Sequence, residues 1–132
     1  MRATLSLITL VVRDYDEAIE FYVNKLGFAL MEDAPMGNDK RWVRVGPSGG
    51  GAELLLARAT NHEQESRVGN QAGGRVVMFL QVDNFRAAHD EMVRNGVRFL
   101  EAPRHESYGT VAVFQDLYGN KFDLIGPGEN HA

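Results

Sequence analysis

The feature that most limits what this chain can fold into is an internal repeat. Residues 5–57 have the pattern of one strand, one helix and three strands, and residues 75–127 repeat that order. The segment "GPSGGGAELL" (46–55) aligns with "DLYGNKFDLI" (116–125) at an offset of 70 positions. A short helical pattern often arises by chance, but a whole ordered module does not arise twice. The repeat therefore predicts two similar βαβββ modules within a single domain.

Both predicted helices are delimited by the same signals. Asp14 is expected to cap the first helix, and Gly27 to end it in a left-handed conformation. Asp83 and Gly96 stand at the same separation, 13 positions, in the second module. The polar stretch 58–74 has the composition of a linker and no periodicity. A stripe of apolar residues is expected to form the buried side of the second helix: Phe85, Ala88, Met92 and Val93.

Composition excludes several classes of function. With 44% hydrophobic and 24% charged residues, the 132-residue chain is expected to form one globular domain. The absence of cysteine excludes disulfides, thiol catalysis and cysteine-ligated zinc, and it fits a reducing compartment. A net charge of −4 without a clustered basic face argues against a nucleic-acid partner. No apolar run approaches a membrane span, and charges interrupt the N-terminal segment too early for a signal peptide, so we expect a cytoplasmic protein.

An aspartate inside the last predicted strand, "KFDLI" (121–125), indicates where a site would lie. Asp123 aligns with Glu53 in the repeat, so both modules place a carboxylate at the same strand position. Two such sheets are expected to curve into an open cup with the helices outside. Strand alternation then predicts a mostly apolar set of residues that face the cup: Leu7, Thr9, Trp42, Arg44, Glu53, Leu55, Val77, Phe79, Ala112, Phe114, Asp123 and Ile125.

Three segments in order carry a resemblance to a known family: "VVRDYDEAIEFYVNKLGF", "VDNFRAAHDEMVRNGVRFL" and the closing "YGTVAVFQDLYGNKFDLIGP". Together they resemble the vicinal oxygen chelate superfamily, which contains glyoxalase, the extradiol dioxygenases and the bleomycin resistance proteins. The resemblance extends from Leu5 to Pro127, and the closing segment is similar to the family ending D-P-x-G-N-x-[ILF]-E-[LI]. It implies an α+β fold in which two βαβββ modules form a curved, cup-like mixed sheet.

The resemblance also implies four positions at which metal-using members of the superfamily carry His, Gln or Glu. In this chain those positions are Leu7, Glu53, Val77 and Asp123. Two carboxylates and two aliphatic side chains cannot supply the four donors that a divalent ion requires. We therefore expect no metal at the usual place and predict no cofactor.

The two carboxylates allow two interpretations. Glu53 and Asp123 are either structural, paired with Arg44 or Lys121 or simply hydrated, or functional. As functional groups they would accept hydrogen bonds or act as a base, with pKa values raised by burial and by mutual proximity.

Of the histidines, only His105 lies in a predicted loop that leads into an inner strand, from which it could reach the cup mouth with Tyr108. His89 is expected on the outer side of the second helix. His62, in the linker, and His131, in the tail, are expected to be solvated.

Three functions follow as alternatives. The first is a non-catalytic, metal-free binding protein whose cup holds a hydrophobic or aromatic organic molecule stacked on Trp42, Phe79 and Phe114. The second is a metal-dependent lyase, isomerase or dioxygenase with a rearranged site of Glu53, Asp123 and His105. The third is metal-free acid–base chemistry by either carboxylate.

The family resemblance further implies that chains of this length form pairs, either side by side or by exchanging modules. The long 58–74 stretch permits both arrangements. We expect a homodimer, with a small organic molecule as the other partner.

Overall fold

The computed structural model describes residues 1–127. The chain divides into two compact units, of which the first is Met1–Val68 and the second begins at Gly69. Each unit contains at least one helix and one mixed sheet with both parallel and antiparallel strand pairs. The predicted α+β class and the repeated module are therefore confirmed.

The first unit contains one complete βαβββ module. Its elements are β1 (Leu7–Val12), α1 (Tyr15–Ile19), a π-helical segment (Glu20–Lys25), β2 (Ala29–Gly37), β3 (Lys40–Gly46), β4 (Glu53–Arg58) and α2 (His62–Glu65). The strand order in the sheet is β1-β4-β3-β2. β1 and β4 are parallel, because the helix and the two strands between them bring the chain back to the end of the sheet at which β1 begins. β2 and β3, and likewise β3 and β4, are antiparallel neighbours.

The second unit follows the same order with one addition. Its elements are β5 (Val76–Gln81), α3 (Phe85–Arg94), β6 (Arg98–Phe99), β7 (Arg104–Glu106), β8 (Gly109–Gln115) and β9 (Lys121–Gly126). The strand order is β5-β9-β8-β6, and β7 also pairs with β8. The single strand predicted around residues 97–101 is thus replaced by two short strands. The predicted loop that carries His105 is wrong, because this residue lies in β7.

The first helix begins and ends where the sequence signals place it, but it is not a regular α-helix. Asp14 Oδ2 accepts a hydrogen bond from the Glu17 N–H at 2.9 Å, and Gly27 has φ +84°. From Glu20 onward the helix has π geometry, in which the Leu26 N–H donates to the Phe21 carbonyl at 2.9 Å.

The N-cap of α3 is Asn84 rather than the predicted Asp83. Asn84 Oδ1 accepts from the Ala87 N–H at 3.1 Å, and Gly96 ends the helix with φ +90°. The cap and the terminal glycine are therefore 12 residues apart here and 13 in the first module. The π-helical segment accounts for the additional residue, since a π turn contains more residues than an α turn.

The polar stretch 58–74 is more ordered than its composition predicts. It contains α2, which Asn61 caps by accepting from the Gln64 N–H at 2.9 Å, and α2 packs against β1. Residues up to Val68 belong to the first unit. Among residues 1–127, no helix is long and apolar enough to cross a membrane.

The buried face of the first sheet lies against α1, which contacts β3 and β4. Its side chains are 4% exposed or less: Leu10, Val12, Val43, Val45, Leu54 and Leu56. The opposite face of the same strands carries the polar residues of the module. Strand alternation therefore separates a core face from a face that is available for function.

The second unit has an aromatic core. Phe114 and Phe122 stack with ring centroids 4.9 Å apart, and both are fully buried. Phe85 and Met92 of α3 are buried as predicted, but Val93 is 52% exposed. Consecutive helical residues differ by about 100°, so Val93 lies at the edge of the face that buries Met92.

The turn between β8 and β9 is fixed by two buried polar side chains. Asp116 Oδ1 accepts from the N–H groups of Tyr118 and Asn120, each at 2.9 Å, and Asp116 Oδ2 accepts from Asn120 Nδ2 at 2.9 Å. Asn120 Oδ1 in turn accepts from the Gln71 N–H at 3.3 Å. The closing motif "DLYGN" is therefore structural, and it sets the register in which Asp123 enters β9.

Candidate functional site

The first unit brings its polar residues together on the sheet face opposite α1. Leu7 is the direct partner of Glu53, and Leu55 is the partner of both Thr9 and Arg44. Directly paired residues on neighbouring strands point to the same side of a sheet. The structure therefore places on one face the residues that alternation predicted for module one: Leu7, Thr9, Trp42, Arg44, Glu53 and Leu55.

An arginine between two carboxylates forms the polar centre of this face. Arg44 Nε donates to Glu32 Oε1 at 3.0 Å, and Arg44 Nη1 donates to Glu53 Oε1. The bonds to Glu32 and then to Glu53 raise the pKa of Arg44, so the guanidinium stays charged. Gly46 leaves room for Glu53, since a Cβ at Gly46 would lie 3.0 Å from Glu53 Cγ. The carboxylate of Glu53 is thus held in place on the sheet.

A groove of about 530 Å³ opens beside this ion pair. Its lining combines the N-terminal segment with the ion pair: Thr4, Leu5, Ser6, Leu7, Arg44, Gly51 and Glu53. Small-molecule sites commonly have a few hundred Å³, apolar walls and a few fixed polar groups. The groove has a volume in this range and one fixed charged pair, and its lining mixes two leucines with polar residues.

In the second unit Asp123 lies in the middle of a sheet face. Its direct partners are Phe79 on β5 and Val113 on β8. Along β9 the residues Lys121, Asp123 and Ile125 are half-buried, and the alternate ones belong to the core. The Phe79 side chain is 69% exposed although it is large and apolar. The face therefore places an uncovered aromatic ring next to a carboxylate.

The prediction that Phe114 and Ala112 share the face of Asp123 is wrong. Phe114 pairs with Phe122, and Ala112 pairs with Leu124, so both point into the core. Because side chains alternate along a strand, an error of one residue moves the whole strand to the other face. Val113, rather than its neighbours, lies opposite Asp123 on β8.

Val77 lies at an irregularity in β5. The register between β5 and β9 shifts between Val76 and Met78, which places one extra residue in β5. Asp123 pairs with Phe79, two positions beyond Val77, whereas in the first unit Leu7 pairs directly with Glu53; the extra residue accounts for one of the two positions. The two modules therefore differ at the position where the repeat aligns Leu7 with Val77.

Sequence reasoning missed an ion pair on the face of Asp123. Glu101 Oε1 accepts from Arg104 Nε at 2.9 Å, and Glu101 Oε2 accepts from the Val113 N–H at 2.9 Å. Arg104 Nη1 also donates to Glu106 Oε1 at 3.2 Å. Arg104 pairs with Val111, which places it on the side of Asp123. The signal was present, because alternation on either side of the "SYG" turn is typical of a hairpin.

Asp123 has an unusual electrostatic environment. Its Oδ1 atom is buried and makes no hydrogen bond. Burial raises the pKa of Asp123, the charge of Arg104 opposes that effect, and the nearby Glu101 carboxylate adds to it. By contrast, the hydrogen bond from Arg104 holds the pKa of Glu101 below its usual value, and the Val113 N–H acts in the same direction. The same ion pair therefore acts on both carboxylates, but burial dominates at Asp123 and the hydrogen bond from Arg104 dominates at Glu101.

Within the described part of the second unit, neither His89 nor His105 joins this face, and His131 lies outside the described residues. His105 pairs with Thr110, and its Nδ1 lies 3.0 Å from Thr110 Oγ1. It therefore lies on the opposite side of the sheet from Asp123. Tyr108 lies in the turn between β7 and β8 and is 64% exposed. His89 packs between Phe85 and Phe99, with ring centroids 5.6 and 4.2 Å away, and its side chain is 19% exposed, so it lies on the packed side of α3 rather than on the expected outer side.

A metal site has no clear set of ligands within either unit. In residues 1–127, no three or more of the His, Asp and Glu side chains are grouped so that they could hold a metal ion. A metal-free site remains a prediction.

Sequence comparison places the chain among related proteins. A model of the Glyoxalase/Bleomycin resistance protein/Dioxygenase superfamily matches residues 4–124. An uncharacterized protein of Shewanella frigidimarina (strain NCIMB 400) is 54% identical over 127 residues, which cover 95% of this chain and 94% of the relative. The uncharacterized protein YurT of Bacillus subtilis (strain 168) is 30% identical over 122 residues, 89% of this chain and 94% of the relative.

Solved structures similar to this chain include two relatives with more than a quarter of their residues identical. The crystal structure of UcmS2 superposes with a TM-score of 0.82 at 36% sequence identity, covering 95% of this chain and 98% of UcmS2. TnmS3, an antibiotic binding protein from Streptomyces sp. CB03234, superposes with a TM-score of 0.74 at 27% identity, covering 96% of this chain and 97% of TnmS3.

Proposed function

Starting from the fact that this chain belongs to the glyoxalase/bleomycin resistance protein/dioxygenase superfamily, we propose that it binds a small hydrophobic or aromatic organic molecule and does so without the usual metal site. The first-unit sheet face and its groove hold the ligand. The Arg44–Glu53 pair orients the polar groups of the ligand, and Leu7 and Leu55 contact its apolar part.

The observation that carries this proposal is the groove of about 530 Å³ with a fixed ion pair at its side. Trp42 lies on the same face as Arg44, two residues away on β3, and is half-buried. An indole with one uncovered surface gives a stacking platform for an aromatic ring. The groove therefore provides leucine side chains and directional polar groups, and Trp42, which is not part of its lining, adds an aromatic side chain to the same sheet face.

The similarity to TnmS3 supports the choice of binding over catalysis. That protein is an antibiotic binding protein, and the superposition covers 96% of this chain. A protein that sequesters a small molecule needs a pocket of matching shape and polarity but no reactive group. The first-unit face provides this without assigning a chemical step to Glu53, whose carboxylate is engaged by Arg44.

The aliphatic residues at two usual ligand positions support a metal-free site. Leu7 has no donor atom and lies directly beside Glu53, so that strand pair supplies one carboxylate at most. The rearranged set of Glu53, Asp123 and His105 finds no support within the second unit, because His105 and Asp123 lie on opposite sides of the sheet.

One observation favours a second function, metal-free acid–base chemistry. Asp123 has a raised pKa caused mainly by burial, together with a buried oxygen that makes no hydrogen bond. A general base needs such a pKa, closer to neutrality than that of an exposed carboxylate. This function would require a substrate whose acidic proton reaches Asp123.

We also propose that the chain forms a homodimer in the cytoplasm. Support for pairing comes from the repeat of modules, and support for the compartment comes from a composition without cysteine. Sedimentation velocity at micromolar concentration tests the dimer, and a single species at the monomer mass would contradict it.

The binding proposal is tested by native mass spectrometry of protein purified without added metal. We expect an organic molecule to copurify, and a stoichiometric metal ion would favour the enzymatic alternative instead. Isothermal titration calorimetry with 1-naphthalenemethanol, a neutral aromatic probe, then measures binding to the emptied site.

Adjacent residues of β1 provide a matched pair of variants for the calorimetry. Leu7→Asn places an amide in the groove and should weaken probe binding about tenfold. Ile8→Asn makes the same kind of change on the other side of the strand, outside the groove, and should leave the affinity within about twofold. Equal losses in the two variants would contradict the placement of the ligand.

A further inference from the structure

The ion pair beside the groove has one unused donor group and one unused acceptor atom. Arg44 bonds through Nε to Glu32 and through Nη1 to Glu53 Oε1. Within residues 1–127, neither Arg44 Nη2 nor Glu53 Oε2 has a hydrogen-bond partner. Over the same residues, Asp123 Oδ1 is the only buried side-chain polar atom without a partner, so Nη2 and Oε2 both remain accessible to solvent.

The charges on this sheet face are balanced. Strand alternation places two carboxylates and two cations there: Glu32, Glu53, Lys40 and Arg44. Arg44 lies between the two carboxylates, so a charged group of either sign that enters the groove meets a like charge beside the opposite one. The strand residues of the face therefore give no net preference for a cation or an anion.

A ligand in the groove has to replace water at both accessible atoms. In the open groove, water can donate to Glu53 Oε2 and accept from Arg44 Nη2. A ligand that covers both atoms but bonds to only one leaves the other as a buried polar group without a partner, which costs free energy. Because Nη1 and Oε1 of the same two groups are in contact, the acceptor and the donor of the ligand have to be close neighbours.

The apolar part of the ligand has separate contacts in the same groove. Leu5 and Leu7 belong to the lining, and Leu5 is 72% exposed, so a molecule that covers it removes apolar surface from water. The Glu53 N–H donates to the Ser6 carbonyl at 3.0 Å. This bond attaches the N-terminal segment to the residue that carries the accessible carboxylate oxygen.

We infer that the groove selects a neutral ligand in which a hydrogen-bond acceptor and a donor stand side by side on an apolar body, as in a primary carboxamide or a lactam. This inference rests on the proposed binding function and specifies the chemical class of the ligand. The ligand carbonyl accepts from Arg44 Nη2, and the ligand N–H donates to Glu53 Oε2 in a charge-assisted hydrogen bond.

Four naphthalene derivatives with planar substituents of matched size test the inference by isothermal titration calorimetry at pH 7.5. They are 1-naphthamide, 1-acetonaphthone, 1-naphthoate and 1-naphthamidinium. The ketone keeps the acceptor of the amide and has a methyl group in place of the donor, whereas the two ions carry only acceptors or only donors. We expect the amide to bind about tenfold or more tightly than the ketone, and more tightly than either ion.

Two isosteric variants assign the preference to one residue. In Glu53→Gln the side-chain oxygen keeps the bond from Arg44, and the amino group takes the place of Oε2, where it opposes the N–H of the amide probe. The affinities for the amide and the ketone should then agree within about twofold. Asp39→Asn makes the same change at an exposed position in the turn between β2 and β3 and should leave the tenfold preference intact.

The outcomes separate this inference from the proposed function. Equal binding of the amide and the ketone, tighter binding of either ion, or a preference that survives Glu53→Gln overturns the inference and leaves the binding function standing. A lack of binding by all four probes overturns both. If thermal unfolding shows that Glu53→Gln is not folded, the comparison of the four probes on the wild type decides.

Discussion

Replacement of Glu101 should destabilise the second unit through a backbone group rather than through a lost charge. Val113 pairs with Asp123 on one edge of β8, but on the other edge neither β6 nor β7 pairs with it. There the Glu101 carboxylate accepts the Val113 N–H at 2.9 Å. Glu101→Ala leaves this N–H without its partner. Glu101→Gln keeps an acceptor oxygen and removes only the negative charge.

The expected magnitudes follow from these two contributions. A backbone N–H that loses its acceptor in a half-buried position costs about 1–2 kcal/mol. The ion pair with Arg104 adds about 0.5 kcal/mol, because side chains that are 30% and 40% exposed are well screened. Glu101→Ala should therefore cost about 2 kcal/mol, and Glu101→Gln about 0.5–1 kcal/mol. For a chain of 132 residues, the alanine variant should melt about 7 °C lower.

Urea unfolding at pH 7, followed by far-ultraviolet circular dichroism, measures the difference. Glu106→Ala is the matched control, because it also removes a carboxylate from Arg104, bonded at 3.2 Å, but accepts no backbone N–H in β8. We expect it to change the free energy of unfolding by less than about 0.5 kcal/mol. Equal losses in Glu101→Ala and Glu101→Gln would refute the role of the Val113 N–H.

The same carboxylate makes a pH-dependent contribution. Because the pKa of Glu101 is lower in the folded state than its ordinary value of 4.5, its contribution is fully present above about pH 4.5 and is lost as the pH falls toward the folded-state pKa. Below that pKa the wild type and Glu101→Gln should converge in stability. A constant difference between them down to pH 3 would contradict this assignment.

Two further predictions concern other positions. Asp123→Asn should raise the free energy of unfolding at pH 7, because the folded-state pKa of Asp123 is raised and the charged carboxylate destabilises the folded state. This advantage over the wild type should disappear as the pH falls below the ordinary pKa of 3.8, which urea titrations between pH 3 and 7 test. Gly69→Ala should cost about 2–4 kcal/mol in thermal unfolding, since its Cβ would lie 2.0 Å from the Tyr118 carbonyl oxygen, whereas Gly73→Ala, with φ +64° and open space around it, should cost only about 1 kcal/mol.

The repeat could be predicted because its signals are local. Left-handed glycines such as Gly27 and Gly96 end their helices through their own backbone conformation, and apolar alternation marks each strand without knowledge of its partner. The predicted N-cap of α3, Asp83, differs by one position from the observed N-cap, Asn84, because aspartate and asparagine are both good caps. Their sequence context does not decide between them.

The site was only partly predictable, because side-chain neighbours depend on pairing. In the first unit, the alternation of side chains along each strand correctly predicted that Arg44 and Glu53 share a face. In the second, the turn that precedes β8 sets which of its residues lie opposite Asp123, and the prediction of Phe114 was displaced by one position. Arg104 could not be placed at all until β7 was recognised as a strand.

The π-helical segment Glu20–Lys25 shows how this module tolerates a change in length. Both ends of the helix are fixed, by Asp14 at the start and by Gly27 at the end. One extra residue in a regular α-helix would rotate every later side chain by about 100° and move Tyr22, which is fully buried, out of the core. The wider turn absorbs the additional residue where it occurs, so the side chains before and after it keep their faces while Asp14 and Gly27 still mark the two ends.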